Sequence, residues 1–450
     1  ELAAARARTG LDESVLTGEG RIGGHPVAVA ASEFGFLGGS IGVAAGERLT
    51  RAVERATAGR LPLITLPASG GTRMQEGTLA FLQMVKITAA VTVHRAAQLP
   101  YLGYLRHPST GGVFASWASL GHLTLAEPGA LIGFLGPRVY QALHGGPFPE
   151  GVQTAENLAA HGLVDAVVGP DQLSGLVARV LDALTADPRP APAGAEGDPG
   201  RTGMGTGTRA GGGDGDAWTS VQRTRAAGYP GARELIGAAV TDLVPVHEDS
   251  LILALGRIGG YPVVLAAQDR NGPPPGPGAL RVARRGVTLA AGLGLPLVTV
   301  IDTTGGELSP QAEEDGLAGQ IAGCLADLLT TPAPTVSVLL GQGTGGAALA
   351  LLPADRTVAA ADAWLAPLAP EGASAIVHRD TGHAAELAGR QGIRAADLAA
   401  AGIVDEVVSG SAGLTRVLGY AVHRALAELS TLDDRTRLAE RTRRYRHLAR

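Results

Sequence analysis

One feature constrains this chain more than any other: it repeats itself. "GRIGGHPVAVAA" (Gly20–Ala31) returns as "GRIGGYPVVLAA" (Gly256–Ala267). Four more stretches recur in the same order. "LPLITLPASGG" (Leu61–Gly71) answers to "LPLVTVIDTTGG" (Leu295–Gly306), and "STGGVFAS" (Ser109–Ser116) to "GTGGAALA" (Gly343–Ala350). "ALIGFLGP" (Ala130–Pro137) answers to "AWLAPLAP" (Ala363–Pro370), and "HGLVDAVV" (His161–Val168) to "AGIVDEVV" (Ala401–Val408). The nearly constant spacing makes the chain one domain duplicated, with a period far longer than that of solenoid repeats. The halves are bounded at 1–184 and 217–450. Residues 185–216 are rich in Gly and Pro and poor in large apolar side chains. They bury too little to offset their ordering entropy and are expected to form a flexible linker.

Composition excludes several classes. A net charge of −5 gives no whole-chain argument for nucleic acid. No unbroken apolar run reaches the roughly 18 residues of a membrane span, so no membrane is expected. Cys324 is the only cysteine, which rules out an intrachain disulfide and a cysteine-cluster zinc site. A cytoplasmic location and no bound metal are expected. Lys86 is the only lysine among 37 basic residues, leaving almost no candidate for lysine-based catalysis.

Apolar strands alternate with helical patterns in both halves, which predicts an α/β fold. In the first half Leu61–Pro67 and Leu99–Leu105 read as strands. Thr72–Gln98 reads as a long helix and Gly112–Leu120 as a short one. The pattern recurs after Leu295 and Thr335. Each half then has two strand–glycine–helix corners: Ser69–Gly70–Gly71 and Thr110–Gly111–Gly112, then Thr304–Gly305–Gly306 and Thr344–Gly345–Gly346. Glycine permits positive φ and close approach of a ligand. The first N–H groups of a helix lack intrahelical partners and carry partial positive charge. Two adjacent corners can aim two donors at one oxygen, such as a thioester carbonyl becoming an enolate. The bland alternative for each corner is tight packing of helix on strand.

The corners sit in longer motifs that resemble a known family. "SEFGFLGGSIG" (Ser32–Gly42), "ASGGTRMQEG" (Ala68–Gly77), "HPSTGGVFASWASLG" (His107–Gly121) and "AEPGALIGFLGPRV" (Ala126–Val139) resemble the β subunit of bacterial acetyl-CoA carboxylase carboxyltransferase. "WTSVQRTRAAGYPGARELI" (Trp218–Ile236), "VTVIDTTGG" (Val298–Gly306), "LLGQGTGGAALAL" (Leu339–Leu351) and "APEGASAIVHRD" (Ala369–Asp380) resemble its α subunit. The resemblance implies two tandem crotonase-like (ββα superhelix) domains. It implies transfer of a carboxyl group from carboxybiotin to an acyl-CoA, with acetyl-CoA giving malonyl-CoA as the expected reaction. The carboxybiotin would come on a separate biotin carboxyl carrier protein, charged by a biotin carboxylase. The sites of such enzymes form between the first half of one protomer and the second half of another, so a homodimer is expected.

Carried over by residue, the resemblance makes Gly111 and Gly112 the holders of the thioester enolate. Gly345 and Gly346 become the holders of the biotin ureido oxygen. Gly70, Gly71, Arg73, Gly136 and Arg138 become candidates for acyl-CoA, and Gly305, Gly306, Thr344, Glu371 and Gly372 for biotin. Arg73 is equally read as an ion pair with Glu76, Arg138 as solvated surface, and Glu371 as a helix cap. His107 is read as structural, and the seven arginines of Arg435–Arg450 as a solvated face or an acidic partner's contact. No side-chain base is required, because the released biotin can take the α-proton itself. The second half departs from the family pattern: "IDTTGGELSP" stands where "IDTPGAYPG" is usual, and "APEG" where "SPEG" is usual. Three alternatives remain: a biotin-independent malonyl-thioester decarboxylase, a carboxyltransferase for a longer acyl chain, and a catalytically inactive acyl-CoA-binding scaffold.

Overall fold

A computed structural model gives the structure, and the described residues are 1–185, 216–410 and 413–446, without the side chains of 137–139 and 185. The expected linker therefore lies almost wholly outside the described residues. The chain divides into two compact units, Glu1–Leu181 and Asp182–Arg450.

In the first unit, strand Val15–Ile22 turns at Gly23–Gly24 and pairs antiparallel with His25–Ser32. Strands Leu63–Leu66, Tyr101–Leu105, Leu123–Ala126 and Ala166–Val167 then add in parallel, giving a six-stranded sheet. Side chains such as Leu63, Tyr101 and Leu105 lie fully buried, as expected of strands covered on both faces. The second unit repeats the order. Strands Leu251–Ile258, Tyr261–Gln268, Leu297–Thr303, Thr335–Thr344, Arg356–Ala360 and Glu406–Val408 follow in the same sequence across the sheet. One strand, Val240–Glu248, is added outside Leu251–Ile258. The ten-residue strand Thr335–Thr344 corresponds to two shorter ones in the first unit, Tyr101–Leu105 and Ser109–Thr110.

The helices covering the sheets are amphipathic. Val43–Ala58 buries Ala45, Leu49, Val53 and Ala56, at helical spacing. Its counterpart Pro277–Leu293 buries Leu280, Ala283, Val287 and Ala290, begins with Pro and ends at Gly294 in the left-handed region. The helix expected from Thr72 begins only at Gly77, after a short turn at Met74–Glu76. Thr72 and Arg73 are held extended instead: the Ile41 N–H donates to the Gly71 carbonyl, and the Arg73 N–H to that of Ile41, both at 2.9 Å. By length and composition Met74–Ala96 could also cross a membrane. Its apolar run is broken by Gln83 and by Lys86, which pairs with Glu47. Leu79, Phe81, Leu82, Val85 and Val93 make its outer face apolar and exposed.

The arginine-rich tail is not simply solvated. Arg437 and Arg441 of helix Asp434–Arg446 are buried. Arg441 grips Asp355 with two donors, at 2.8 and 2.6 Å, and its others reach the carbonyls of Leu328, Thr331 and Ala333. These carbonyls lie at and beyond the end of helix Leu317–Thr330, where acceptors lack intrahelical donors. Removing one partner of a buried pair leaves the other charge uncompensated. Arg441→Met is expected to destabilise the second unit by about 3 kcal/mol, read as a lower urea midpoint.

Candidate active site

The two glycine corners of each half are brought side by side. In the first unit the Thr110 N–H donates to the Ser69 carbonyl at 2.9 Å, and the Ser69 N–H to that of Pro108 at 2.7 Å. Gly71 has φ +107° and Gly111 φ +61°, both in the region that favours glycine. A Cβ on Gly71 would lie 3.4 Å from the Gly112 nitrogen, so the missing side chain leaves that amide uncovered. Gly112 stands second in helix Gly111–Phe114, where an N–H has no acceptor within the helix.

The second unit reproduces this arrangement. Gly305 has φ +137° and Gly345 φ +68°, and Gly346 stands second in helix Gly345–Leu349. The hydroxyl of Ser69 accepts from the Gly71 N–H at 3.0 Å, and that of Thr303 from the Gly305 N–H at 3.2 Å. The equivalence therefore runs Gly71 to Gly305, Gly111 to Gly345 and Gly112 to Gly346. Matching the doublets letter by letter sets Gly70–Gly71 on Gly305–Gly306; the backbone shifts that by one, setting Gly70 on Thr304 and Thr72 on Gly306.

The donors are also fewer than the motif suggests. The Gly111 N–H is taken by the Phe134 carbonyl at 3.1 Å, and the Gly70 N–H by that of Gly38 at 2.9 Å. Gly111 thus builds the turn, and the amide it presents belongs to Gly112.

Arg73 is corrected from a CoA contact to a buried ion pair. It is 2% exposed and reaches Glu13, Glu76, Ser14 and Ser40, which together engage its whole guanidinium. Burial opposes ionisation of Glu13, but the hydrogen bonds from Arg73 and the Ser14 N–H outweigh it and hold the carboxyl below its ordinary range. Gly136 caps helix Pro137–His144, whose second residue is Arg138; the Arg138 side chain lies outside the described residues. His107 accepts from the Leu131 N–H at 3.1 Å through Nδ1, a structural role. Gly372 is a packing position, since a Cβ there would come within 2.9 Å of Leu368.

In the second unit Thr344 and Thr304 line a cavity of about 370 Å³ together with Arg225, Arg270, Asn271 and Gln342. Thr344 is 3% exposed, and its Oγ1 is buried without a hydrogen-bond partner. Such an atom suits a polar guest, and the mixed donors and acceptors here fit a ureido ring. Glu371 pairs with the lining residue Arg225, whose hydrogen bonds hold its carboxyl below the usual range. Behind the wall lies Asp302. Its Oδ1 accepts from the Gln342 N–H at 3.2 Å, and its Oδ2 lies 3.6 Å from Arg270 Nε. Arg225, Arg270, Gln342 and Asp302 were not singled out in the sequence. Arg225, Gln342 and Asp302 did lie inside quoted motifs, but most of the partners they find in the fold are remote along the chain.

Two outcomes follow from this geometry. Gly111→Ala and Gly345→Ala each place a Cβ on a left-handed residue, at a cost of about 1–2 kcal/mol, and displace the next amide. Steady-state kinetics should show turnover lowered about a hundredfold in each. Burial pushes the Asp302 carboxyl up to about 7, against the pull of Arg270. The native state keeps that proton where the unfolded chain has released it. This group's contribution to stability therefore falls as pH rises from about 4 to about 7. Melting profiles of Asp302→Asn should lack that part of the pH slope.

Comparison with known proteins accords with this architecture. A carboxyl transferase domain model matches residues 1–189, and an acetyl co-enzyme A carboxylase carboxyltransferase-like model matches 216–449. A probable biotin-dependent acyl-coenzyme A carboxylase beta3 subunit of Mycobacterium tuberculosis (strain ATCC 25618 / H37Rv) is 57% identical, covering 100% of this chain and 92% of its own length. The acetyl-coenzyme A carboxylase carboxyl transferase subunits beta/alpha of Salinispora arenicola are 38% identical over 90% of this chain and 75% of their own. Among solved structures, a transcarboxylase 12S with methylmalonyl-coenzyme A bound superposes with a TM-score of 0.75 at 21% identity, over 93% of this chain and 82% of that one. That likeness shows the fold, two crotonase-like domains in tandem. The chain belongs to the carboxyltransferase family of the biotin-dependent acyl-CoA carboxylases.

Proposed function

We propose that this acyl-CoA carboxyltransferase uses acetyl-CoA, holding the thioester at Gly71–Gly112 of the first half and the biotin ring at the Gly305–Gly346 turns of the second. The observation that carries this reading is the duplicated corner: a positive-φ glycine, Gly71 or Gly305, followed across the paired strands by a helix-start amide, which in the first half lies directly beside Gly71. In the first half, the Gly112 N–H points its partial positive charge at the thioester oxygen. It stabilises the negative charge that develops there as the α-carbon gives up its proton. A donor of this kind contributes about 3 kcal/mol in the transition state. In the second half, the Gly346 N–H and the Thr344 hydroxyl orient the ureido group. Carboxybiotin, brought by a biotin carboxyl carrier protein and charged by a biotin carboxylase, supplies the carboxyl carbon and, on releasing it, an acceptor for the proton. The C–N bond to the carboxyl breaks as the C–C bond to the α-carbon forms, giving malonyl-CoA. The exposed apolar face of helix Gly77–Ala96 supports assembly with a second copy as a homodimer.

The reverse reaction tests this. Purified protein with malonyl-CoA is expected to yield acetyl-CoA only when a free biotin derivative is added. Formation of acetyl-CoA without biotin would make the protein a decarboxylase. CoA binding with no loss of the carboxyl group would leave it a scaffold.

A further inference from the structure

The cavity of the second half carries a guanidinium fork on its rim that the glycine corners do not use. Arg225 ends helix Ala217–Arg225. Arg270 fixes the backbone on both sides of it, donating to the carbonyls of Thr224, at 3.0 Å, and Tyr229. Arg225 Nε faces Gln342 Oε1 at 3.4 Å, and the guanidinium lies 6.0 Å from the centre of the buried Trp364 ring. Its two terminal nitrogens donate to the two oxygens of Glu371 at 2.6 and 3.1 Å. This is the geometry by which arginine recognises any carboxylate.

Glu371 is the exchangeable member of this set. Arg225 is held by its backbone, its aromatic neighbour and Gln342. The two side chains are similarly exposed, 35% and 37%, but the Glu371 carboxylate, in the first turn of helix Pro370–His378, is held through Arg225. An ion pair so exposed contributes little to folding. Thr344 lines the same cavity, and its hydroxyl oxygen is buried without a hydrogen-bond partner.

We propose that Arg225 is the receptor for the carboxylate of an N-carboxylated ureido ring, and that Glu371 is a built-in stand-in which occupies the receptor until that guest displaces it. The proposal rests on the second half being the biotin half. It adds a residue that distinguishes the carboxylated ring from the bare one: Arg225 takes the charge, while the Thr344 hydroxyl meets the neutral ring in both.

Two stable probes test it on the full chain by titration calorimetry: biotin methyl ester, and the same ester carrying a carboxymethyl group on the ureido N1. The wild type is expected to prefer the anionic probe by about tenfold, the worth of a charged hydrogen bond. Arg225→Gln should bring that ratio to about one or below. Glu371→Gln, which keeps the shape and removes the competing charge, should raise it. A wild type that favours the neutral ester overturns the proposal, as does an unchanged ratio in both variants. If the wild type binds neither probe, the biotin reading falls and this proposal with it. If both probes bind and only the ratio ignores the substitutions, Arg225 alone is wrongly assigned.

Discussion

The structure hinges on how closely two strand ends approach each other. In the first half the backbone of Ser69 is bonded to Pro108 and Thr110, within 2.7 and 2.9 Å. In the second, Thr303 pairs with Gly343 across the same two strands. At this separation a side chain on Gly71 would cover the Gly112 amide, and the φ of +107° there strains any residue with a Cβ. The chain therefore needs a residue without a Cβ there, able to take positive φ. What is left open is a backbone donor at the start of a short helix, held by the sheet rather than by any flexible side chain. Preorganised donors of this kind need no rearrangement when charge develops on a bound oxygen. The late start of the helix at Gly77 follows from the same constraint, because residues 71–73 are occupied in pairing with Ile41.

The two copies share this frame and differ around it. Gly136 and Ala369 cap equivalent helices, each followed by Pro. Gly70 in the first half corresponds to Thr304 in the second, which lines the cavity together with Thr344. The charged groups diverge further. The first half ties its corner down with Arg73 and Glu13, whose charges are spent inside the protein. The second half turns Arg225 towards a cavity and sets Arg270 and Asp302 behind it. A duplicated backbone donor with different polar surroundings is what two different substrates, a thioester and a ureido ring, would need.

Buried arginines hold the rest in place. Arg441 draws together Asp355 and the carbonyls that follow helix Leu317–Thr330, so the tail helix is part of the second unit's framework. Each such arginine is costly to desolvate and is retained only because nearly every donor finds an acceptor.

The duplication, the alternation of strands and helices, and the four glycine corners were legible in the sequence. They are local patterns: apolar periodicity, breakers at strand ends, and repeated motifs at constant spacing. The sequence also carried the family motifs, and through them membership of the carboxyltransferase family. It could not settle the register of the glycine corners, because matching letters cannot see which residue takes positive φ. Nor could it tell a CoA-binding Arg73 from a structural one, since its partner Glu13 lies 60 residues away. The same holds for Arg441 and Asp355, 86 residues apart, and for Arg225 and Glu371, 146 apart. An arginine's role is decided by which acceptors surround its guanidinium, and only the folded chain brings those acceptors together.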